Sequence, residues 1–145
     1  MADEFLTRVG AWNTTILSLQ AADTLTAAYQ TSTNTVDVRG FNLIRLHLGY
    51  VKGTEATVQV LPEGYDGASW IPLGHKAVQG SGVSELTKDI IQLTPGNFDA
   101  SDSIVTPEIL VGGLQKVRVK YKCTTPGGAA GTLAIGVTGG VSSVE

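Results

Sequence analysis

The chain has one cysteine and one methionine, and only 6% of its residues are aromatic. A lone thiol, Cys123, excludes an internal disulfide framework, so cohesion must come from a packed core, from contacts between subunits, or from both. Charge is also scarce: Asp, Glu, Lys and Arg make up 16% of the sequence, against about 25% in an average globular domain. With a net charge of −3, a global nucleic-acid or anionic-membrane binder is not expected. No stretch approaches the ~18 continuous apolar residues of a membrane-spanning helix. Met1-Ala2-Asp3-Glu4-Phe5-Leu6 has neither the basic region nor the apolar run of a signal peptide, and none is expected. Helix formers are thinly spread.

Glycine is what the chain has in excess: 18 of 145 residues, well above the usual ~7%. Thr and Val are abundant too, a balance that suits short strands joined by tight turns in one domain. The clearest strand is Leu43–Val51, where Ile44, Leu46, Leu48 and Tyr50 alternate with Arg45, His47 and Gly49. Lys52-Gly53-Thr54 then reads as a turn in which Gly53 can take a positive φ. Glu55–Leu61 alternates again, so the two runs are expected to pair as a β-hairpin. A turn over Glu63–Gly67 leads to a short strand over Ser69–Leu73. The second strong signal is Lys116–Cys123, with Val117, Val119, Tyr121 and Cys123 facing in and Lys116, Arg118, Lys120 and Lys122 facing out. Across the Gly-rich loop Thr124–Gly131, Thr132–Val137 is expected to return as its hairpin partner.

Weaker signals place strands over Thr14–Leu19, Thr24–Thr33, Val36–Arg39 and Glu108–Val111. A further one over Ser84–Leu93 carries a bulge at Ile90-Ile91. Gly74–Ser84 reads as a loop, Thr94-Pro95-Gly96-Asn97 as a turn and Phe98–Pro107 as a polar connection. There is no internal repeat. About eight short strands with turn signals every 8–12 residues predict an all-β fold, an antiparallel β-sandwich or jelly-roll-like single domain over 14–140. An extended N-terminal arm over 1–13 precedes it and a tail over 141–145 follows. Phe5, Val9 and Trp12 share the spacing of a helical stripe, which fits a short helical turn. They fit equally an arm whose Phe5, Leu6 and Trp12 dock on a neighbouring subunit, because such side chains are costly to leave in water.

Residues with catalytic potential form no constellation. His47 and His75 lack metal-ligand spacing and a third donor. Gly80-Ser81-Gly82 does not have the spacing of a nucleophile elbow. Pro126-Gly127-Gly128-Ala129-Ala130-Gly131 joins two strands and has no following Gly-Lys-Ser/Thr, so it is not a phosphate loop. The carboxylates Asp66, Glu85, Asp89, Asp99, Asp102 and Glu108 are scattered. Asp66-Gly67-Ala68-Ser69-Trp70 is similar to the Asp-box turn of sialidase-like propellers, but one residue short and in one copy. It reads as a tight turn followed by a Trp70 that anchors the core or an interface. The basic face of Lys116, Arg118, Lys120 and Lys122 is either a solvated strand face guarded against edge aggregation or the footprint of an acidic partner.

From Val36 to Trp70 the order is a short strand, Arg39-Gly40-Phe41, an alternating strand, Lys52-Gly53-Thr54-Glu55, a second alternating strand and Asp66-Gly67-Ala68-Ser69-Trp70. Together with the Thr/Val/Gly-rich, cysteine-poor composition, this resembles the small β-sandwich decoration (cement) proteins of tailed-bacteriophage capsids, from about Val36 to Thr138. The resemblance implies a structural virion protein with no active site and no cofactor, whose partner is the major capsid protein of a tailed phage. It implies assembly in the host cytoplasm and attachment to the outer surface of the expanded capsid, at threefold or twofold junctions, as a homo-oligomer (a trimer, or else a dimer). Neighbouring shell subunits would be stapled together, with the 1–13 arm supplying reach, and neither direct nucleic-acid contact nor a membrane is expected. The competing expectation is a carbohydrate- or receptor-binding β-sandwich module of a phage tail or fibre, with Tyr50, Tyr65 and Trp70 as its aromatic candidates. A small hydrolase is a third reading and lacks a nucleophile or metal set.

Overall fold

The computed structural model describes residues 11–12, 15–73 and 91–141. Within them the regular elements are β1 (Ala11–Trp12), β2 (Leu17–Thr24), β3 (Gln30–Thr31), β4 (Val36–Asp37), β5 (Leu43–Val51) and β6 (Thr57–Tyr65). They continue with β7 (Trp70–Pro72), β8 (Ile91–Leu93), β9 (Ser101–Val105), β10 (Ile109–Leu110), β11 (Lys116–Thr124) and β12 (Thr132–Val141), with a 3-10 turn at Pro95–Asn97. All the pairings are antiparallel and they build two sheets.

In the first sheet β12 and β5 are central; β1 and β2 flank β12, while β9 and β10 flank β5. In the second, β11 and β6 are central; β3 and β4 flank β11, while β7 and β8 flank β6. Four pairs of short strands thus share an edge, and counting each pair as one lane reduces twelve strands to eight lanes. Numbered along the chain, the lanes run 1-8-3-6 in one sheet and 2-7-4-5 in the other, the order of a jelly roll built from two Greek keys. The domain is an all-β sandwich, as expected.

Its core is the inward face of the four central strands. Ile44, Leu46, Leu48 and Tyr50 of β5 and Leu133, Ile135 and Val137 of β12 meet Val58 and Val60 of β6 and Val117, Val119, Tyr121 and Cys123 of β11, all buried. At about 1.5–3 kcal/mol for each large apolar side chain removed from water, this shared layer is the main stabilising element.

Both expected hairpins are overturned. β5 lies in the first sheet and β6 in the second, and β11 and β12 are divided in the same way. Lys52–Ala56 and Thr125–Gly131 are therefore links that cross the ~10 Å between packed sheets. Alternation cannot distinguish the two cases: paired strands and strands facing across a core both direct every second side chain inward. The tight hairpin is β6–β7, with Tyr65 opposite Trp70. Its turn is the Asp-Gly pair: Asp66 Oδ1 accepts from the Ala68 and Ser69 N–H groups at 2.8 and 2.7 Å, and Gly67 sits at φ +104°. Here Gly supplies a left-handed conformation that other residues resist.

Edge elements also differ from expectation. The strand expected over Thr14–Leu19 runs Leu17–Thr24 as β2, and two register shifts let it follow β12. The expected Thr24–Thr33 strand shrinks to Gln30–Thr31. The polar connection Phe98–Pro107 contains β9, whose five residues pair with β5; pairing to a central strand overrides its weak propensity. β6 continues past Leu61 through Pro62, a residue rarely tolerated inside a sheet, which is why the sequence suggests an earlier end. Gly53 does not take a positive φ. A β-carbon there would lie 2.2 Å from the Ala129 carbonyl oxygen, so close approach of two backbones is what requires glycine.

Candidate partner-binding face

Strand β11 projects Lys116, Arg118, Lys120 and Lys122 onto the outer face of the second sheet, while Val117, Val119, Tyr121 and Cys123 fill the core. Residues on one side of a strand recur every ~6.8 Å. At that separation two unit charges repel by roughly 0.6 kcal/mol even at the dielectric constant of water, so four in a row need compensation. The neighbouring strand provides it. Register sets Arg118 opposite Glu63, and the Arg118 Nε donates to Glu63 Oε1 at 2.8 Å. Lys120 Nζ stands 3.7 Å from Glu63 Oε2. Glu63 is itself only 6% exposed, so its charge is held beneath these two cations.

Aromatic rings complete the arrangement. The Arg118 guanidinium lies 4.1 Å over Trp70, and Lys116 Nζ lies 5.0 Å over Tyr65 and 5.8 Å over Trp70. Tyr65 and Trp70 are packed together, 5.2 Å between centroids. At the other end Lys122 Nζ sits 4.8 Å over Tyr29, whose ring is exposed. Each such contact contributes about 0.5–1 kcal/mol at an accessible site. Asp37, opposite Lys116 in the register, is tied to Arg39 at 2.5 Å. The Arg39 hydrogen bonds hold its carboxyl down to about 2, so this pair stays ionised and cancels internally. Among the described residues, four cations then face one committed carboxylate, leaving an excess of three positive charges on this face. In a chain of net charge −3 that is a local reversal of sign.

The expected site residues are thus divided. Lys116, Arg118, Lys120 and Lys122 are brought together, as the alternation indicates. Trp12 is spent on its own chain: in β1 it pairs opposite Gly140, its ring covers that glycine, and Arg45 stacks 4.5 Å above it. Phe5 and Leu6 lie outside the described residues, as do His75, Glu85 and Asp89. Sequence reasoning did not include Glu63, Tyr65 and Tyr29 in this face, and left Trp70 open between core and interface. The β11–β6 register and the β6–β7 turn bring Glu63, Tyr65 and Trp70 beside the cations, and the β3–β11 pairing brings Tyr29.

The remaining polar groups have structural tasks. His47 Nε2 is 2.9 Å from Thr138 Oγ1 on the outer face of the first sheet, beside a shallow hollow of about 240 Å³ floored by Gly49, Ala134 and Gly136. Glu108 pairs with Arg45 at 3.2 Å, and Asp102 accepts from the Asp99 N–H at 3.2 Å. Among the described residues no three His, Cys, Asp or Glu side chains are grouped to hold a metal ion. The loop Pro126–Gly131 packs on the β5–β6 link: the Thr54 hydroxyl donates to the Pro126 carbonyl at 2.6 Å, and the Thr54 N–H to the Ala129 carbonyl at 2.8 Å.

At this end of the sandwich lies one buried carboxylate. Glu55 accepts from the Tyr50 hydroxyl and from the N–H groups of Gly53 (2.9 Å) and Gly131 (2.7 Å), joining both sheet-crossing links. Burial pushes its carboxyl up, but the Tyr50 hydroxyl and those N–H groups outweigh it and hold the pKa below the ordinary value. Burial first, and then Glu55 itself, push the Tyr50 phenol well above its usual range.

No protein-family model, curated protein or solved structure matches this chain.

Proposed function

We propose that this protein is a structural binding protein of a virion, one that attaches to the outer surface of a tailed-phage capsid and cements neighbouring major capsid subunits. The observation that carries the reading is the cation-rich outer face of the second sheet. It is positive in an acidic chain and backed by aromatic rings. A face of this kind recognises an acidic protein surface. The jelly-roll order also suits the reading, since viral capsid domains use it, although lectin domains do so as well.

Attachment would be multivalent. Contacts that are weak for one copy gain strength when a homo-oligomer meets a repeated lattice. The Phe5–Leu6 segment, which lies outside the described residues, would add apolar contact by docking in grooves of the shell. The rival reading, sugar stacking on Tyr65 and Trp70, is weakened because each ring already carries a cation over one face.

Mixing purified protein with expanded capsid shells and imaging them tests the proposal. Added density at junctions between capsomers is expected, and it should diminish as salt rises, because the contact is largely ionic. Shells without added density at low salt would refute it.

A further inference from the structure

Arg118 is more constrained than a surface cation usually is. Its Nε is committed to Glu63 at 2.8 Å, its guanidinium carbon lies 4.1 Å from the centre of the Trp70 ring, and its side chain is only 23% exposed. A guanidinium has five N–H donors. One is used by Glu63, and among the described residues the two terminal nitrogens, which carry the other four, have no hydrogen-bond partner. The result is a fork fixed in place before any ligand arrives, with the geometry that matches a carboxylate through two parallel bonds.

The flanking cations extend this fork along one line. Lys116, Lys120 and Lys122 lie on the same side of β11, at the ~6.8 Å repeat of a strand. An extended chain has that same repeat, so carboxylates at every second residue of a partner segment fall opposite successive cations. We infer that the outer face of β11 is a docking rail for an extended acidic segment of a partner protein, with Arg118 as its bidentate anchor. The inference rests on the reading of this face as the partner-binding surface and specifies what that surface recognises. A nucleic-acid strand fits less well: such binding depends on a broad basic field, whereas this chain is −3 overall and holds Glu63 within the face.

The test is an NMR titration of the full chain, at low salt, with two short synthetic peptides of identical composition. One alternates glutamate with threonine; in the other all the glutamates are adjacent. The alternating peptide should shift the β11 amide resonances and bind about tenfold more tightly. Arg118→Lys keeps the charge and loses the fork, so it should lose about tenfold in affinity, one charge-assisted hydrogen bond. Arg45→Lys, on the opposite sheet, should bind as the parent does. Should Arg118→Lys fail to fold, Lys122→Gln takes its place, since among the described residues its ammonium contacts only the exposed Tyr29 ring; a loss of about threefold is expected.

Equal affinity for the two peptides, no binding of either, or parental affinity in the folded Arg118→Lys variant would overturn the inference. So would a single-stranded oligonucleotide that outbinds the alternating peptide. Peptide binding in the expected pattern without attachment to shells would remove the capsid reading and leave the docking rail intact. Shell attachment that Arg118→Lys does not weaken, with no peptide binding, would do the reverse.

Discussion

Glu55→Gln should destabilise the folded protein by about 2–4 kcal/mol near neutral pH, and the figure follows from counting donors. The carboxylate accepts on both oxygens: Oε2 from Gly53 N–H and the Tyr50 hydroxyl, Oε1 from Gly131 N–H. An amide of the same shape has one acceptor oxygen, so its NH2 group must confront a buried donor at under 3 Å. If it confronts Gly131, that N–H is left unsatisfied at a cost of ~1–3 kcal/mol, and the bonds that survive weaken from charge-assisted to neutral by roughly 1 kcal/mol. At this chain length the sum corresponds to a fall in Tm of about 4–16 °C.

The same residue makes a second, independent forecast. Its folded pKa lies below the ordinary value of 4.5. Its stabilising contribution is therefore complete above that value and is lost as pH falls through the lower, folded one. Urea unfolding followed by circular dichroism, repeated from neutral to acidic pH, should show the parent losing stability below about 4.5 by more than Glu55→Gln does. Asp37 and Asp66 also have depressed values, but they are common to both chains and cancel in the difference. A loss below ~0.5 kcal/mol at neutral pH, or identical pH slopes in the two chains, would show that Glu55 does not hold the two sheet-crossing links together.

Two further substitutions test close approaches. Gly53→Ala would place a methyl group 2.2 Å from the Ala129 carbonyl oxygen and 2.4 Å from the Gly131 nitrogen; because backbone cannot swing aside as a side chain does, urea unfolding should show a loss of about 1–3 kcal/mol. An unchanged midpoint would mean that the links are not pressed together. Gly140→Ala would bring a β-carbon within 2.5 Å of the Trp12 ring and displace the ring from its place between the sheet and Arg45. In a Trp70→Phe background, where Trp12 is the remaining tryptophan, its emission should shift to longer wavelength; an unshifted spectrum would place the ring elsewhere.

The four central strands were legible in the sequence and the edges were not, for a physical reason. β5, β6, β11 and β12 are nine or ten residues long and bury one face against the opposite sheet. A buried face forces strict alternation, and alternation can be read directly. An edge lane has one neighbour and a thinner share of the core, so its composition is freer. β9 is Ser-Asp-Ser-Ile-Val, which as a sequence resembles a loop and becomes a strand only because β5 offers it hydrogen bonds. Sheet membership was not legible either, since the in-or-out pattern of β5 and β6 is the same whether they pair or face each other.

The candidate site divides along the same line. Its cations sit on β11, a central strand, and could be read from the sequence as a row of four. What determines how they act comes from register and from the edge. Glu63 reaches Arg118 because β11 and β6 are aligned with Val119 opposite Pro62 and Lys120 opposite Leu61. A slip of one residue would turn Glu63 inward and send Val60 and Val58 out to solvent. That register is enforced from the other side of the sheet, by the buried valines and Tyr121. Trp70 reaches the face through a feature of the sequence that is fully local: Asp66 and Gly67 set a tight turn, and the turn sets Trp70 opposite Tyr65. The electrostatics of the outer face are therefore a consequence of core packing, and a core substitution that loosened the β11–β6 register would disperse the cations' partners before it removed any of the cations.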